Sequence, residues 1–197
     1  MRIKHIFIDM DGVLANFIKS AYNVHGRQYT ESEYPVGEYD IPKAMGLTTS
    51  QFWEPINARR EEFWFNIPKY SWADDLIAML REPWTIASSP SQEPESASGK
   101  VKWLRYYFGL GFRNYMLGHD KHHLAQSPMG MGTVLIDDNE NQVNAFIREG
   151  GYGILFPQPW NNNYHHTHDR FGYVCIEYFK DVIKNGRREG LARYLGL

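Results

Sequence analysis

The sequence predicts an α/β fold: a parallel sheet covered by helices on both faces, with a small helical segment inserted after the first strand. Two patterns carry this expectation. Short β-branched and aromatic runs recur at Ile3 to Asp9, Trp84 to Ser88, Asn114 to Leu117, Thr133 to Asp137 and Tyr152 to Phe156. Each has the length of a buried strand, and several close on polar or turn residues. Between them, apolar residues fall at helical spacing. Strands that alternate with helices imply a parallel sheet whose ligands gather at the carboxyl ends of the strands.

The first run, IKHIFID, delivers a carboxylate to its own end. The stretch 16–72 then breaks the alternation. It holds helical pieces, Leu14 to Val24 and Thr49 to Phe63, around a polar loop with Pro and Gly from Arg27 to Gly46. No convincing buried strand lies there, so 16–72 is expected to form a small helical cap, with 1–15 and 73–197 as the core. After WTIAS, the SSPSQEPESASG stretch from Ser88 to Gly99 reads as a polar loop. Val101, Leu104 and Phe108 then mark a helix over Ser98 to Phe108. Val143, Phe146 and Ile147 mark another, ended by Gly150 and Gly151. A third, Val174 to Lys184, aligns Val174, Tyr178 and Val182.

A chain of 197 residues suits one domain, or one domain with a modest insertion. The aromatic share of 15% supplies a core and leaves rings to line a pocket. With 21 Lys and Arg against 23 Asp and Glu, no broad positive field exists to hold long nucleic acid. A nucleotide monomer stays compatible. Cys175 is the lone cysteine, so no internal disulfide forms and a reducing compartment fits. Met1 to Asp9 reaches charged residues too soon for a signal peptide, and no run approaches the roughly 20 apolar residues of a membrane span. A soluble, cytoplasmic protein without a membrane partner is expected; a homodimer is left open.

The chemistry concentrates in Asp9-Met10-Asp11-Gly12-Val13, directly after an apolar strand. Phosphoryl transfer needs an in-line oxygen nucleophile, neutralised phosphate charge and a proton for the leaving oxygen. Two carboxylates one residue apart can supply the first and third, provided the chain curls after Asp9, which Gly12 permits. Attack by Asp9 would give an aspartyl-phosphate, and Asp11 would protonate the leaving alkoxide and later activate water. A divalent cation must sit between a carboxylate and a dianionic phosphate, and magnesium suits Asp9, the carbonyl of Asp11 and one distant carboxylate. Asp137 ends the strand VLI as Asp9 ends FI, and is the expected ligand. Asp138 is expected behind it, orienting a bound water or Lys121. Ser88 offers a hydroxyl at a third strand end, and Lys121 a balancing cation.

These four pieces resemble, in order, the motifs of the haloacid dehalogenase superfamily, whose fold is a Rossmann-like sheet flanked by helices. DMDGV matches the first, Ser88 the second, Lys121 the third and Asp137-Asp138 the fourth. The presence of Asp11 favours the phosphatase branch. A narrower resemblance is to the 5′(3′)-deoxyribonucleotidases, through DMDGVLANF (Asp9 to Phe17), SSP (Ser88 to Pro90), KVKWLRYYFG (Lys100 to Gly109), HDK and LIDD (Leu135 to Asp138). That resemblance implies magnesium as cofactor, a nucleoside monophosphate as substrate, and binding through Phe17, Ser89, Lys100 and a cap aromatic. Trp64 is the expected ring, among Phe52, Trp53, Phe63 and Phe65.

A DxDG can start a calcium loop, but Gly12 comes too early and the required Glu is missing. His119, His122 and His123, and separately His165, His166 and His168, suggest a transition-metal site but lack Cys partners. Phe156 to Asn161 is either a rigid Pro-bounded loop or part of the site's rim. The alternative substrates are another small phosphate ester or a polynucleotide 3′ end. A non-enzymatic nucleotide-binding or regulatory protein is the alternative of another class.

Overall fold

Five apolar runs pair side by side into one parallel sheet. In the computed structural model, which describes residues 3–80, 82–126 and 132–161, the strands are β1 (His5–Ile8), β2 (Trp84–Ser88), β3 (Tyr115–Leu117), β4 (Thr133–Asp137) and β5 (Tyr152–Leu155). Their spatial order is β3-β2-β1-β4-β5, all parallel. Every residue of β1 and β4 is buried, which is why these runs read as continuously apolar rather than alternating. The chain winds outward from β1 to β3, then returns to place β4 on β1's other side. That reversal opens a crevice beyond the carboxyl ends of β1 and β4. Ile8 pairs with both Ile86 and Ile136, so the residues after each strand emerge at one level.

Between β1 and β2 the described chain forms α1 (Phe17–Val24), α2 (Ile41–Ala44), α3 (Thr49–Ala58), α4 (Arg60–Phe65) and α5 (Ala73–Met79). The first starts later than the pattern suggested, because Leu14 and Ala15 close a turn and Asn16 caps the helix by accepting from the Lys19 amide. The segment expected as one helix from Thr49 to Phe63 divides in two at Arg59 and Arg60, the latter at φ +51°. Thr48 and Gln51 form a reciprocal capping box at the start of α3. The loop from Arg27 to Gly46 also carries a 3₁₀ turn, Glu31–Glu33, and α2 capped by Asp40. Helix α5 was not expected from the sequence.

The polar loop expected over Ser88 to Gly99 is corrected: α6 (Pro94–Phe108) begins inside it. Pro94 is preorganised for the first turn and Glu95 faces the positive helix end. The polar composition concealed the start of the helix because its first half buries Ser96, Gly99 and Lys100, and the apolar Trp103 and Leu104 follow only later. Gly99 is required there, since a Cβ would strike Trp64 and the Glu61 backbone of α4. On the other flank lies α7 (Glu140–Arg148), which buries Val143 and Phe146. The segment Val174 to Lys184 lies outside the described residues.

One apolar cluster joins the sheet, through Ile6, Ile8 and Ile136, to Phe52, Ile56 and Trp64 of the inserted helices. The Trp103 indole of α6 donates to the Ile67 carbonyl at 2.7 Å, fixing α6 against the end of the insertion. No helix among the described residues is long and apolar enough to cross a membrane.

Candidate active site

The register of β1 and β4 delivers Asp9 and Asp137 side by side, and the Asp9 amide donates to the Ile136 carbonyl at 2.8 Å. Asp9, Asp137 and Asp138 are buried. Each offers a carboxylate oxygen within 4.8 Å of the others. Lys121, opening a 3₁₀ turn over Lys121–Gln126, bridges two of them, with Nζ 2.8 Å from Asp9 Oδ1 and 2.7 Å from Asp137 Oδ2.

One ammonium among three carboxylates leaves negative charge in excess. Burial and then the charge of Asp9 push the Asp137 carboxyl up to about 7, against the pull of Lys121. Asp138 is raised too, first by burial and then by Asp137 and Asp9. Burial would lower the Lys121 ammonium, but Asp9 and Asp137 outweigh it and hold the lysine charged. A hard divalent cation with oxygen ligands fits such a donor set, because it removes the repulsion that otherwise favours protonation. Among the described residues no other group of three His, Cys, Asp or Glu is drawn together in this way. His119, His122 and His123 do not form one, and His165, His166 and His168 lie outside the described residues.

After Asp9 the chain curls as the DxDG spacing requires. The Leu14 and Ala15 amides both donate to the Met10 carbonyl, and Gly12 sits at φ +78°. Gly12 is also needed for space: a Cβ there would run into the Asp138 carboxylate. The curl brings Asp11 round to Lys100, whose Nζ donates to Asp11 Oδ2 and, at 2.8 Å, to Ser88 Oγ. Asp11 Oδ1 is buried with no hydrogen-bond partner. Burial foremost, then Asp9, raises the Asp11 carboxyl even against Lys100.

A cavity of about 290 Å³ opens above these groups. Asp9, Asp11, Lys121, Asp137 and Asp138 line its floor, and Phe17, Trp53 and Trp64 one wall. Phe17 stacks on Trp64 at 5.5 Å and 22°, and Trp53 lies at the same angle 6.5 Å from Trp64. Phe52 and Phe63 belong to the core, and Phe65 turns away onto Tyr106. Ser89 lines the cavity and donates to the Gly118 carbonyl. Ser88 and Lys100, expected at the phosphate, are instead buried outside the cavity lining, Lys100 with its Nζ 5.2 Å from the Trp64 ring centre.

The run Phe156 to Asn161, a rigid Pro-bounded loop or a rim of the site by its sequence, reaches the site through three side chains, and Asn139 joins them unheralded. Trp160 Nε1 donates to Asp138 Oδ2 at 2.6 Å, while Asn161 Nδ2 reaches the Asp138 carbonyl at 2.5 Å and the Gln158 side chain reaches the Gly12 carbonyl. Asp138 is therefore tied to Trp160, whereas Lys121 goes to Asp9 and Asp137. Successive residues at a strand end point opposite ways, which sends Asp138 toward the Gly12 turn. The Asn139 amide donates to Asp137 Oδ1 at 2.8 Å, its Oδ1 accepts from the Asn141 and Gln142 amides at the start of α7, and its Nδ2 donates to the Tyr39 hydroxyl at 2.8 Å. An Asn ahead of a helical pattern is a cap signal that could have marked it.

Solved structures share the fold. A hydrolase from Streptococcus pneumoniae TIGR4 aligns at TM-score 0.54 and 13% identity over 83% of this chain and 97% of its own. A haloacid dehalogenase-like family hydrolase from Streptococcus pneumoniae aligns at 0.55 and 12%, over 90% and 98%. A haloacid dehalogenase-type hydrolase of Bacillus subtilis, solved with magnesium bound, aligns at 0.50 and 11%, over 78% and 86%. No curated protein matches the chain. The family of 5′ nucleotidase, deoxy (pyrimidine), cytosolic type C proteins matches residues 2–177. The chain belongs to that family, and is a phosphatase built on the haloacid dehalogenase fold.

Proposed function

We propose that this phosphatase is a magnesium-dependent 5′(3′)-deoxyribonucleotidase that hydrolyses deoxyribonucleoside monophosphates, with 16–72 as its cap. The observation that carries the reading is a single cavity with two unlike sides: clustered carboxylates with Lys121 on the floor, and on the wall Trp64 with Phe17 and Trp53 each inclined 22° to it. The floor suits a phosphate and its counter-cation. The wall suits the flat, weakly polar face of a base.

Asp9, Asp137 and the Asp11 carbonyl would hold magnesium, with Asp138 beside them. When bound, the cation neutralises charge on the phosphate and lets a carboxylate approach it. The Met10 amide and Lys121 both bond Asp9 Oδ1, which fixes the rotamer and leaves Oδ2 for in-line attack on phosphorus. As the P–O ester bond breaks, the departing oxygen takes a proton from Asp11, whose raised affinity for protons suits a general acid. Asp11 then accepts a proton from the water that cleaves the aspartyl-phosphate, freeing Asp9 and inorganic phosphate. Lys100 orients Asp11, and Ser88 orients Lys100.

The test is a panel of phosphate esters, with and without EDTA, read by phosphate release. Deoxyribonucleoside monophosphates should be the preferred substrates and EDTA should stop turnover. Preference for a sugar phosphate or a polynucleotide 3′ end would overturn the substrate, and full activity in EDTA the cation.

A further inference from the structure

Trp160 stands in two environments at once. Its indole N–H donates to Asp138 Oδ2 at 2.6 Å at the edge of the sheet. Its ring belongs to a small apolar cluster with Ile18 and Tyr34 from the inserted segment, meeting Tyr34 edge-on at 5.9 Å and 75°. Two further bonds join the same surfaces: the Gly37 amide to the Pro159 carbonyl at 2.8 Å, and Asn139 Nδ2 to the Tyr39 hydroxyl. One loop of the insertion, residues 34–39, thus grips the groups that hold Asp138 and Asp137 from behind.

We propose that Trp160 is a positioning residue that makes the cation site depend on docking of the 34–39 loop. Asp138 takes its place because Trp160 bonds one oxygen, and Trp160 takes its place because Tyr34 and Ile18 pack against its ring. Undocking the loop frees the indole, and the carboxylate then loses its fixed direction. Partners one step removed from a metal typically change affinity by about 10- to 100-fold when removed. The inference rests on the cation reading under Proposed function.

Calorimetric titration of MgCl₂ without nucleotide tests it, on wild type, Trp160→Phe, Tyr34→Leu, Asp138→Asn and the Trp160→Phe/Asp138→Asn pair. Trp160→Phe keeps an aromatic ring facing Tyr34, though a smaller one, and removes the donor, so magnesium should bind about tenfold more weakly. Tyr34→Leu leaves every site residue in place and should still weaken binding, by less. In the Asp138→Asn background, Trp160→Phe should add nothing, since coupled groups are not additive. Unchanged affinity in a folded Trp160→Phe protein, or full additivity with Asp138→Asn, overturns the proposal. Should Trp160→Phe fail to fold, unchanged affinity in Tyr34→Leu overturns it instead. A wild-type chain that binds no magnesium overturns the cation reading itself, a different result from variants that bind as wild type does.

Discussion

The floor and the wall of the cavity are held by different physics. On the floor, Asp9, Asp137 and Lys121 are buried, and Lys121 Nζ ties the two carboxyl groups at the sheet ends together at 2.8 and 2.7 Å. On the wall, Phe17, Trp53 and Trp64 come from helices of the insertion and pack ring against ring, with Trp64 also rooted in the apolar core. A floor built this way tolerates no displacement, because each charge depends on its partner. A wall built this way trades one apolar shape for another at modest cost. Chemistry should therefore fail abruptly on the floor, and substrate preference drift gradually on the wall.

The sharpest break is at Asp9. Asp9→Asn should lower kcat by about 10⁴-fold or more while circular dichroism stays that of the wild type; near wild-type turnover would remove the nucleophile. Next is Lys121→Met, which strands buried carboxylates and should cost about 3 kcal/mol or more in chemical denaturation without magnesium. A loss under about 1 kcal/mol would mean the floor's charges are screened.

Acidity sharpens the same contrast. Asp11, Asp137 and Asp138 bind protons more tightly in the fold than in the unfolded chain, where carboxyls titrate near about 4. For Asp137 this contribution to metal-free stability is full below about pH 4 and is lost as pH rises toward about 7, and Asp11 and Asp138 act in the same direction. The melting temperature without magnesium should fall across that window, and added magnesium should raise it more at pH 8 than at pH 5. A magnesium effect independent of pH would contradict the crowding of these carboxylates. The smallest expected effect is on the wall. Trp53→Leu should remove about 0.5 to 1.5 kcal/mol of ring contact, a roughly two- to tenfold rise in KM for a nucleotide. KM for a small phosphate ester should not move, and an equal rise for both substrates would assign Trp53 to packing alone.

The floor was largely legible in the residues themselves, whereas on the wall Phe17 and Trp64 were expected only through the family resemblance, with Trp53 among the alternatives. An apolar run closed by Asp fixes where that carboxylate goes, because strand pairing sets the position of its end; Asp9 and Asp137 follow from this directly. Lys121 was readable only by its place between motifs. The wall depends on how short helices meet, and the sequence could not show that the chain from Thr49 to Phe65 breaks at Arg60 and turns Phe65 outward. Helix α6 hid its first turn because it buries Ser96 and Gly99 instead of apolar residues. Trp160 was legible only as part of a loop that could form the site's rim: a Pro-bounded loop has no period, so nothing announces that its indole turns back to Asp138.

Asn139 performs three tasks with one short side chain and its amide, and that narrows what evolution or design can place there. Aspartate would cap α7 as well, but would add another negative charge beside Asp137 and Asp138. Serine or threonine would cap it, but could not also donate to Tyr39. Glycine would keep the amide for Asp137 and drop the rest. Position 139 is thus a point where helix start, carboxylate orientation and contact with the insertion must be changed together or left alone, and a library that varies it singly should return mostly inactive chains.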